Sequence, residues 1–260
     1  MLAPERRKKI VGYIQERGEV RIDELKSRFG VSEVTLRRDL DILESEYVIR
    51  RVRGGAVYNQ DPPLEMLFQE KMELYINEKK QIARAAADLV GDGQVVMLSP
   101  GTTTTLVARE LVDKQSLTVV TSAINIAAEL AGRENITLVT IGGIVRSGSY
   151  AAVGHMADEA IAQINADYAF VSVDGVDVSS GFTTPNLLES RTNIMMLKSA
   201  TKTVIVTDHS KLGRVAMSSV ARLDEVSLFI TDDHASPDYV ASLRAHGCNV
   251  MVAGHDDETV

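Results

Sequence analysis

Apolar positions near the start of the chain recur at helical spacing, whereas from about Glu78 onward they come in β-branched runs. Ile10, Val11 and Ile14 share one helical face up to Gly18, and "VRIDELKSRFG" repeats the pattern with Leu25 and Phe29 inward. Gly30 stops it. Ser32 is then a good N-cap for a third helix whose buried stripe is Leu36, Leu40 and Leu43. Glu33, Val34, Arg37 and Asp41 take the opposite side, with Thr35 and Arg38 on the flanks. Two helices, a short turn and a third helix outline a helix-turn-helix. "YVIRRVRGGAVY" follows, alternating apolar and basic residues around Gly54-Gly55, and predicts a hairpin wing tipped by Arg50, Arg51 and Arg53.

The second pattern consists of seven short apolar runs: "QVVML", "LTVVT", "ITLVTIG", "YAFVSV", "TVIVT", "VSLFIT" and "NVMVA". Mostly Ala/Leu-rich amphipathic stretches separate them, which predicts a mainly parallel sheet covered by helices on both faces. Between the two patterns, "NQDPPLEM" with Pro62-Pro63 marks a domain boundary. The expected division is residues 1–57 as the winged helix-turn-helix, 58–76 as a linker and the start of a connecting helix, and 77–260 as the α/β body. "LEMLFQEKMELYINEKKQIARAAADLV" reads as one long amphipathic helix, with Met66, Leu67, Met72 and Ile76 available to face a partner or the body. It suits a lever between the parts and a plain packing helix equally well.

Charge sharpens the division. The 260 residues carry a formal net charge of −8, but residues 1–58 hold 13 Lys and Arg against 10 Asp and Glu. The head is therefore +3 and the remainder −11, so contact with a polyanion is expected at the head alone. The single cysteine, Cys248, offers no internal disulfide. No signal-like start and no apolar run of about 20 residues is seen, and a cytoplasmic protein is expected. The five histidines, His155, His209, His234, His246 and His255, show no ligand spacing, so neither a metal nor a cofactor is expected.

Arginines on the free face of a helix beside an arginine-tipped hairpin suit double-stranded DNA, because guanidinium groups bond phosphates and guanine edges. The expected contacts are Ser32, Glu33, Val34, Thr35, Arg37, Arg38, Arg51, Arg53 and Gly54. The alternative is a solvated face on which Arg37 and Arg38 pair with Asp39, Asp41 and Glu44. In the body, "VVMLSPGTTTTLVARELV" is strand, turn and helix, so backbone N–H groups converge where the chain turns after Gly101. Polar and glycine turns end other strands, and ligands gather at the carboxyl ends of an open parallel sheet. One cleft is expected to combine Ser99, Gly101, Thr102, Thr103 and Thr104 with Thr121, Ser122, Gly142, Gly143, Arg146, Asp174, Gly175, Asp177, Glu189 and Lys211. Asp208 is a further polar candidate. Asp174 and Asp177 would accept sugar hydroxyls and Lys211 would serve as a phosphate or structural cation, against the plainer roles of caps and surface ion pairs.

"GVSEVTLRRDLDILE" followed by "IRRVRGGAV" resembles the DeoR family of bacterial transcriptional regulators, whose winged helix carries S-x-x-T-[apolar]-R-R-D-L. The likeness continues in family order through "DGQVVMLSPGTTTT", "LTVVTSAINIA", "IGGIVR", "VDGVD", "GFTTPNLLES" and "VTDHSK". It implies an operator-binding head and a sugar-phosphate-sensing body related in fold to ribose-5-phosphate isomerase. It further implies a repressor of carbohydrate genes that its effector releases. A homodimer or homotetramer would pair two heads across a symmetric operator. The chain departs from the family in Ser99-Pro100, where an acidic residue is common, in Ser122, where Asn is common, and in Arg53, where His is common. "DGVD" and "TDHSK" also resemble proton-abstracting segments of ribose-5-phosphate isomerases, which leaves an isomerase-like enzyme with an appended head as the second reading. "DGVDV" lacks an acid directly after Asp177, so no catalytic residue and no enzyme are expected.

Overall fold

The computed structural model describes residues 3–45, 49–52, 54–58 and 68–254. The chain divides into two compact units, Met1–Glu65 and Met66–Val260.

The first unit contains α1 (Ala3–Arg17), β1 (Glu19–Arg21), α2 (Ile22–Phe29), α3 (Glu33–Ser45), β2 (Ile49–Val52) and β3 (Gly55–Tyr58). Ile10, Ile14, Leu25, Leu36, Leu40 and Ile49 form its core. Gly30, at φ 64°, closes α2, and Ser32 Oγ accepts the Thr35 N–H at 3.2 Å to start α3. The sequence pattern runs Val20 and Arg21 into the second helix, but both lie in β1. Val20 is β-branched and buried, and its strand pairs with β3 in a sheet of order β1-β3-β2. That pairing explains Gly55: a Cβ there would stand 2.2 Å from the Val20 carbonyl oxygen.

The second unit opens with α4 (Phe68–Glu73) and α5 (Ile76–Asp88). The single helix expected here is broken at Tyr75, which adopts a left-handed φ of 51°. Lys79 makes the break tolerable, because its ammonium donates to the freed carbonyls of Lys71 and, at 2.6 Å, Leu74. Met66 and Leu67, also assigned to that helix, lie outside the described residues. There follow β4 (Val95–Leu98), α6 (Thr102–Glu110), β5 (Leu117–Thr121), α7 (Ile124–Leu130), β6 (Ile136–Thr140), β7 (Ile144–Arg146), β8 (Ala151–Val153) and α8 (His155–Ile161). The unit continues with β9 (Ala166–Val171), β10 (Gly175–Asp177), β11 (Gly181–Thr184), α9 (Leu187–Lys198), β12 (Ala200–Val206), β13 (Ser218–Ala221), β14 (Leu228–Asp232), α10 (Pro237–Ala245) and β15 (Val250–Ala253).

The seven apolar runs are the seven strands of one parallel sheet, ordered β15-β14-β12-β9-β4-β5-β6. Neighbouring residues of a strand feed opposite layers, as a parallel sheet buried on both faces requires. Val96, Leu98, Val119 and Phe170 pack with Ile82 of α5, Leu106 of α6 and Ile126 of α7, whereas Met97, Val120, Ala169 and Val171 pack with Ile161 of α8, Met196 of α9 and Leu243 of α10. Two small antiparallel sheets, β7-β8 and β10-β11-β13, escaped the sequence reading because their strands have only three or four residues and sit in glycine-punctuated turns. The sheet grows from β4 in one direction through β5 and β6, then in the other through β9, β12, β14 and β15. The strand order therefore reverses between β4 and β9, the place where open parallel sheets have their ligand crevice, at the carboxyl ends.

Candidate functional site

On the head, the carboxylates adjoining α3's arginines are disposed so as to leave part of its free face cationic. Asp39 turns inward and is held by Arg6 through bonds of 2.6 and 3.2 Å. Asp41 pairs with Arg51 across to β2, and Arg37 pairs with Glu33 one turn back at 2.6 Å. Neither Asp39 nor Asp41 is therefore the partner of Arg37 or Arg38. The Glu44 side chain lies outside the described residues. Arg38 is exposed, with no ion pair among the described residues. Beside it Val34 is 77% exposed, an apolar contact of the kind that meets a thymine methyl. Ser32 and Thr35 hydroxyls lie 2.8 Å apart at the helix start. In the hairpin, Gly54 takes φ 86° and its carbonyl accepts the Ile22 N–H at 2.9 Å, fixing the turn against α2. Arg53 and the Arg50 side chain, both assigned to the wing tip, lie outside the described residues.

In the body, Ser99 ends β4 and its Oγ accepts the Ser172 N–H from the end of β9 at 3.0 Å, tying together the two strands that flank the crevice. Gly101 follows at φ 153°, and a Cβ there would stand 2.7 Å from Ser172 Cβ. Glycine alone lets the turn approach so closely. Thr104 and Thr105 hydroxyls donate back to the Gly101 carbonyl at 3.0 and 2.7 Å, so they hold the turn. The Thr102 and Thr103 hydroxyls make no such bond among the described residues, and with the first N–H groups of α6 they form the donor set of this turn. Thr121 is spent on the Leu98 carbonyl and the Ala123 N–H. Ser122 Oγ and Asn125 Oδ1 are buried without a partner among the described residues.

A second group lies at the ends of β9 and β12. Asp174 accepts from Lys71 at 2.7 Å and from Thr184 Oγ1 at 3.1 Å. Burial opposes its charge, but Lys71 and Lys211 outweigh that and hold its carboxyl below the usual range. Burial lowers the Lys211 pKa, against the attraction of Asp208 and Asp174. The Lys79 ammonium, 3% exposed, is pushed down to about 8, chiefly by burial, with Asp208 opposing and Lys211 and Lys71 adding to the fall. Lys71, Lys79, Lys211, Asp174 and Asp208 thus form one electrostatically linked cluster, placed where a dianion would relieve the crowding of positive charge.

The remaining assigned residues divide. Arg146 and Glu189 meet as an ion pair, and Ser149 also donates to Glu189, binding β7 to the start of α9. Gly143 is required where a Cβ would stand 2.6 Å from the Val153 carbonyl oxygen, while Gly142 beside it faces open space. Gly175 packs in the same way against Thr183 and Arg214. Asp177 is drawn aside: it accepts the Ser179 N–H at 2.9 Å, Ser179 Oγ at 2.6 Å and the Ser180 N–H at 3.0 Å, closing the β10-β11 turn.

Sequence reasoning missed Lys71 and Lys79. A signal existed for Lys79, which stands three residues from both Ile76 and Ile82 on the apolar stripe of α5, where a lysine is buried only if its ammonium finds acceptors. Histidine spacing also concealed the approach of His209, Asp232 and His234, whose potential ligand atoms lie within 4.8 Å of one another. The clue was that two runs adjacent in the sheet end alike, "VTDH" and "ITDDH".

Residues 75–233 match the family model of the DeoR C terminal sensor domain, and residues 6–61 match that of the DeoR-like helix-turn-helix domain. The HTH-type transcriptional regulator GlpR of Haloferax volcanii is 35% identical over 96% of this chain and 98% of its own. The putative aga operon transcriptional repressor of Escherichia coli O157:H7 is 31% identical over 96% and 94%. A lactose phosphotransferase system repressor of Staphylococcus epidermidis is 32% identical over 86% and 90%. Among solved structures, ribose 5-phosphate isomerase A of Methanocaldococcus jannaschii aligns at a TM-score of 0.38, with 23% identity over 52% of this chain and 53% of its own.

Proposed function

The chain belongs to the DeoR family of transcriptional regulators, and from that premise we propose that it represses carbohydrate genes under the control of a phosphorylated sugar. The head, residues 1–57, grips operator DNA through the amino-terminal half of α3. Val34 and Arg38 read the major groove, Arg37 exchanges Glu33 for a phosphate, and the wing follows the backbone. Residues 58–76 connect it to a sensor spanning 77–260. One winged helix neutralises few phosphates, so two copies pair their heads across a symmetric site.

The observation that carries the sensor reading is the lysine cluster around Asp174 in residues 59–260, whose net charge is −11. Lys71 and Lys211 with the α6 turn take the phosphate, and Asp174 exchanges Lys71 for a sugar hydroxyl. Lys71 lies on α4, the first described helix of the connecting segment, so its change of partner is felt where the linker meets the sensor. Moving a population from mostly bound to mostly released requires the effector to prefer one state by about 5.5 kcal/mol. An isomerase needs a carboxylate placed as a base, and Asp177 is committed to its turn. Likeness to the putative aga operon repressor and to a lactose phosphotransferase system repressor supports carbohydrate genes as the target.

A thermal-shift screen of the full chain with free and phosphorylated sugars tests the sensor. Phosphorylated sugars are expected to raise Tm where their free forms do not, and Thr102→Val with Thr103→Val is expected to abolish the shift while sparing DNA binding. Stabilisation that survives both substitutions would place the phosphate elsewhere.

A further inference from the structure

We propose that His209, Asp232 and His234 form a site for a divalent transition-metal ion of the zinc type, independent of both the DNA and the sugar-phosphate readings. Adjacent parallel strands create it. Val206 of β12 lies opposite Ile230 of β14, so His209, three residues past β12, and Asp232 to His234, at and just past the end of β14, converge at the same edge of the sheet.

Asp232 is completely buried. Its Oδ2 accepts the His209 N–H at 2.7 Å, and its Oδ1 accepts the His234 N–H at 3.1 Å and lies 2.8 Å from His209 Nδ1. A carboxylate so placed requires a positive partner, supplied by a protonated His209 or by an ion. The donor set, two imidazoles and one carboxylate, is that of three-ligand zinc sites with an open position. Tetrahedral metal–ligand bonds of about 2.1 Å put neighbouring ligand atoms roughly 3.4 Å apart. His209 Nδ1 and Asp232 Oδ1, now 2.8 Å apart, need only part slightly to reach that spacing, and His234 has to close in. Its side chain is 63% exposed. Glu78 Oε1, 3.2 Å from His234 Nδ1, is an outer carboxylate of the sort that orients a metal-bound imidazole. On the solvent side, His234 and Glu78 line a cavity of about 410 Å³ that also includes Gln81 and Arg84, giving the ion an entry path and room for water or an anionic ligand at its open positions.

Zn²⁺ titrated calorimetrically into untagged, chelator-treated full-length protein, with Co²⁺ absorption as the spectroscopic readout, tests the site. One ion per chain is expected, with a Co²⁺ band of imidazole and oxygen ligation. His234→Ala, at an exposed position, should retain the fold and lose at least about tenfold in Zn²⁺ affinity. Asp232→Asn should also weaken Zn²⁺ binding, and His155→Ala should leave it unchanged. Absence of stoichiometric uptake by the unaltered protein, or equal affinity in His234→Ala, overturns the proposal. Because the probe is the metal alone, either outcome leaves the sensor and DNA readings standing.

Discussion

At the scale of single residues, the DNA-binding reading rests on which charges are already spent. Arg6 takes Asp39, Arg51 takes Asp41, and Glu33 takes Arg37, so Arg38 is the α3 arginine left to solvent among the described residues. Arg38→Ala should weaken operator binding and flatten its salt dependence by about one unit of slope where the residue meets a phosphate. Fluorescence anisotropy across a salt series reads both effects, and an unchanged slope and affinity would remove Arg38 from the interface. The exposed face of α3 was legible because Leu36, Leu40 and Leu43 fix its rotation. The pairing was not, because "RRDLD" leaves open which acid turns inward, and that depends on Arg6, 33 residues before Asp39. Asp177 and Asp174 make the same point from the other side. Each follows a valine at a strand end, yet one closes a hairpin and the other meets Lys71, a residue 103 positions away.

At the scale of elements, all seven apolar runs became strands of the main sheet, since a strand buried on both faces announces itself by composition alone. Short elements were illegible: β1 is three residues long, and its existence depends on Gly55 allowing the Val20 carbonyl to approach. The α4–α5 break was hidden too, because the helical pattern continues through Tyr75 and only the burial of Lys79 discloses it. The turn into α6 is the element on which the proposed effector capture depends. Gly101→Ala would drive a methyl group against Ser172 while imposing a φ of 153° that alanine resists. The substitution should therefore abolish sugar-phosphate stabilisation in a thermal-shift assay while the isolated DNA affinity persists. Retained stabilisation would show that this turn does not hold the phosphate.

At the scale of the whole molecule, a +3 head joined to a −11 remainder favours polyanion binding at the head, while in the proposed reading the lysine cluster offers a local cationic patch to a small anion. The cluster carries a pH signature. Lys79 loses its proton near pH 8 in the free sensor, and a bound dianion favours its charged form, so binding above that pH takes up a proton. Effector affinity should accordingly hold below pH 8 and fall as pH rises through it, with proton uptake measurable by calorimetry in buffers of different ionisation enthalpy. A flat profile from pH 7 to about 9.5 would detach the cluster from the effector. The most direct test of the account joins its two halves: the affinity of the full-length protein for a duplex it selects from a random pool, measured with and without each phosphorylated sugar that stabilises it. At least one such sugar is predicted to lower DNA affinity tenfold or more, about 1.4 kcal/mol, and to lose that effect in Thr102→Val with Thr103→Val. DNA affinity indifferent to every stabilising sugar would contradict it.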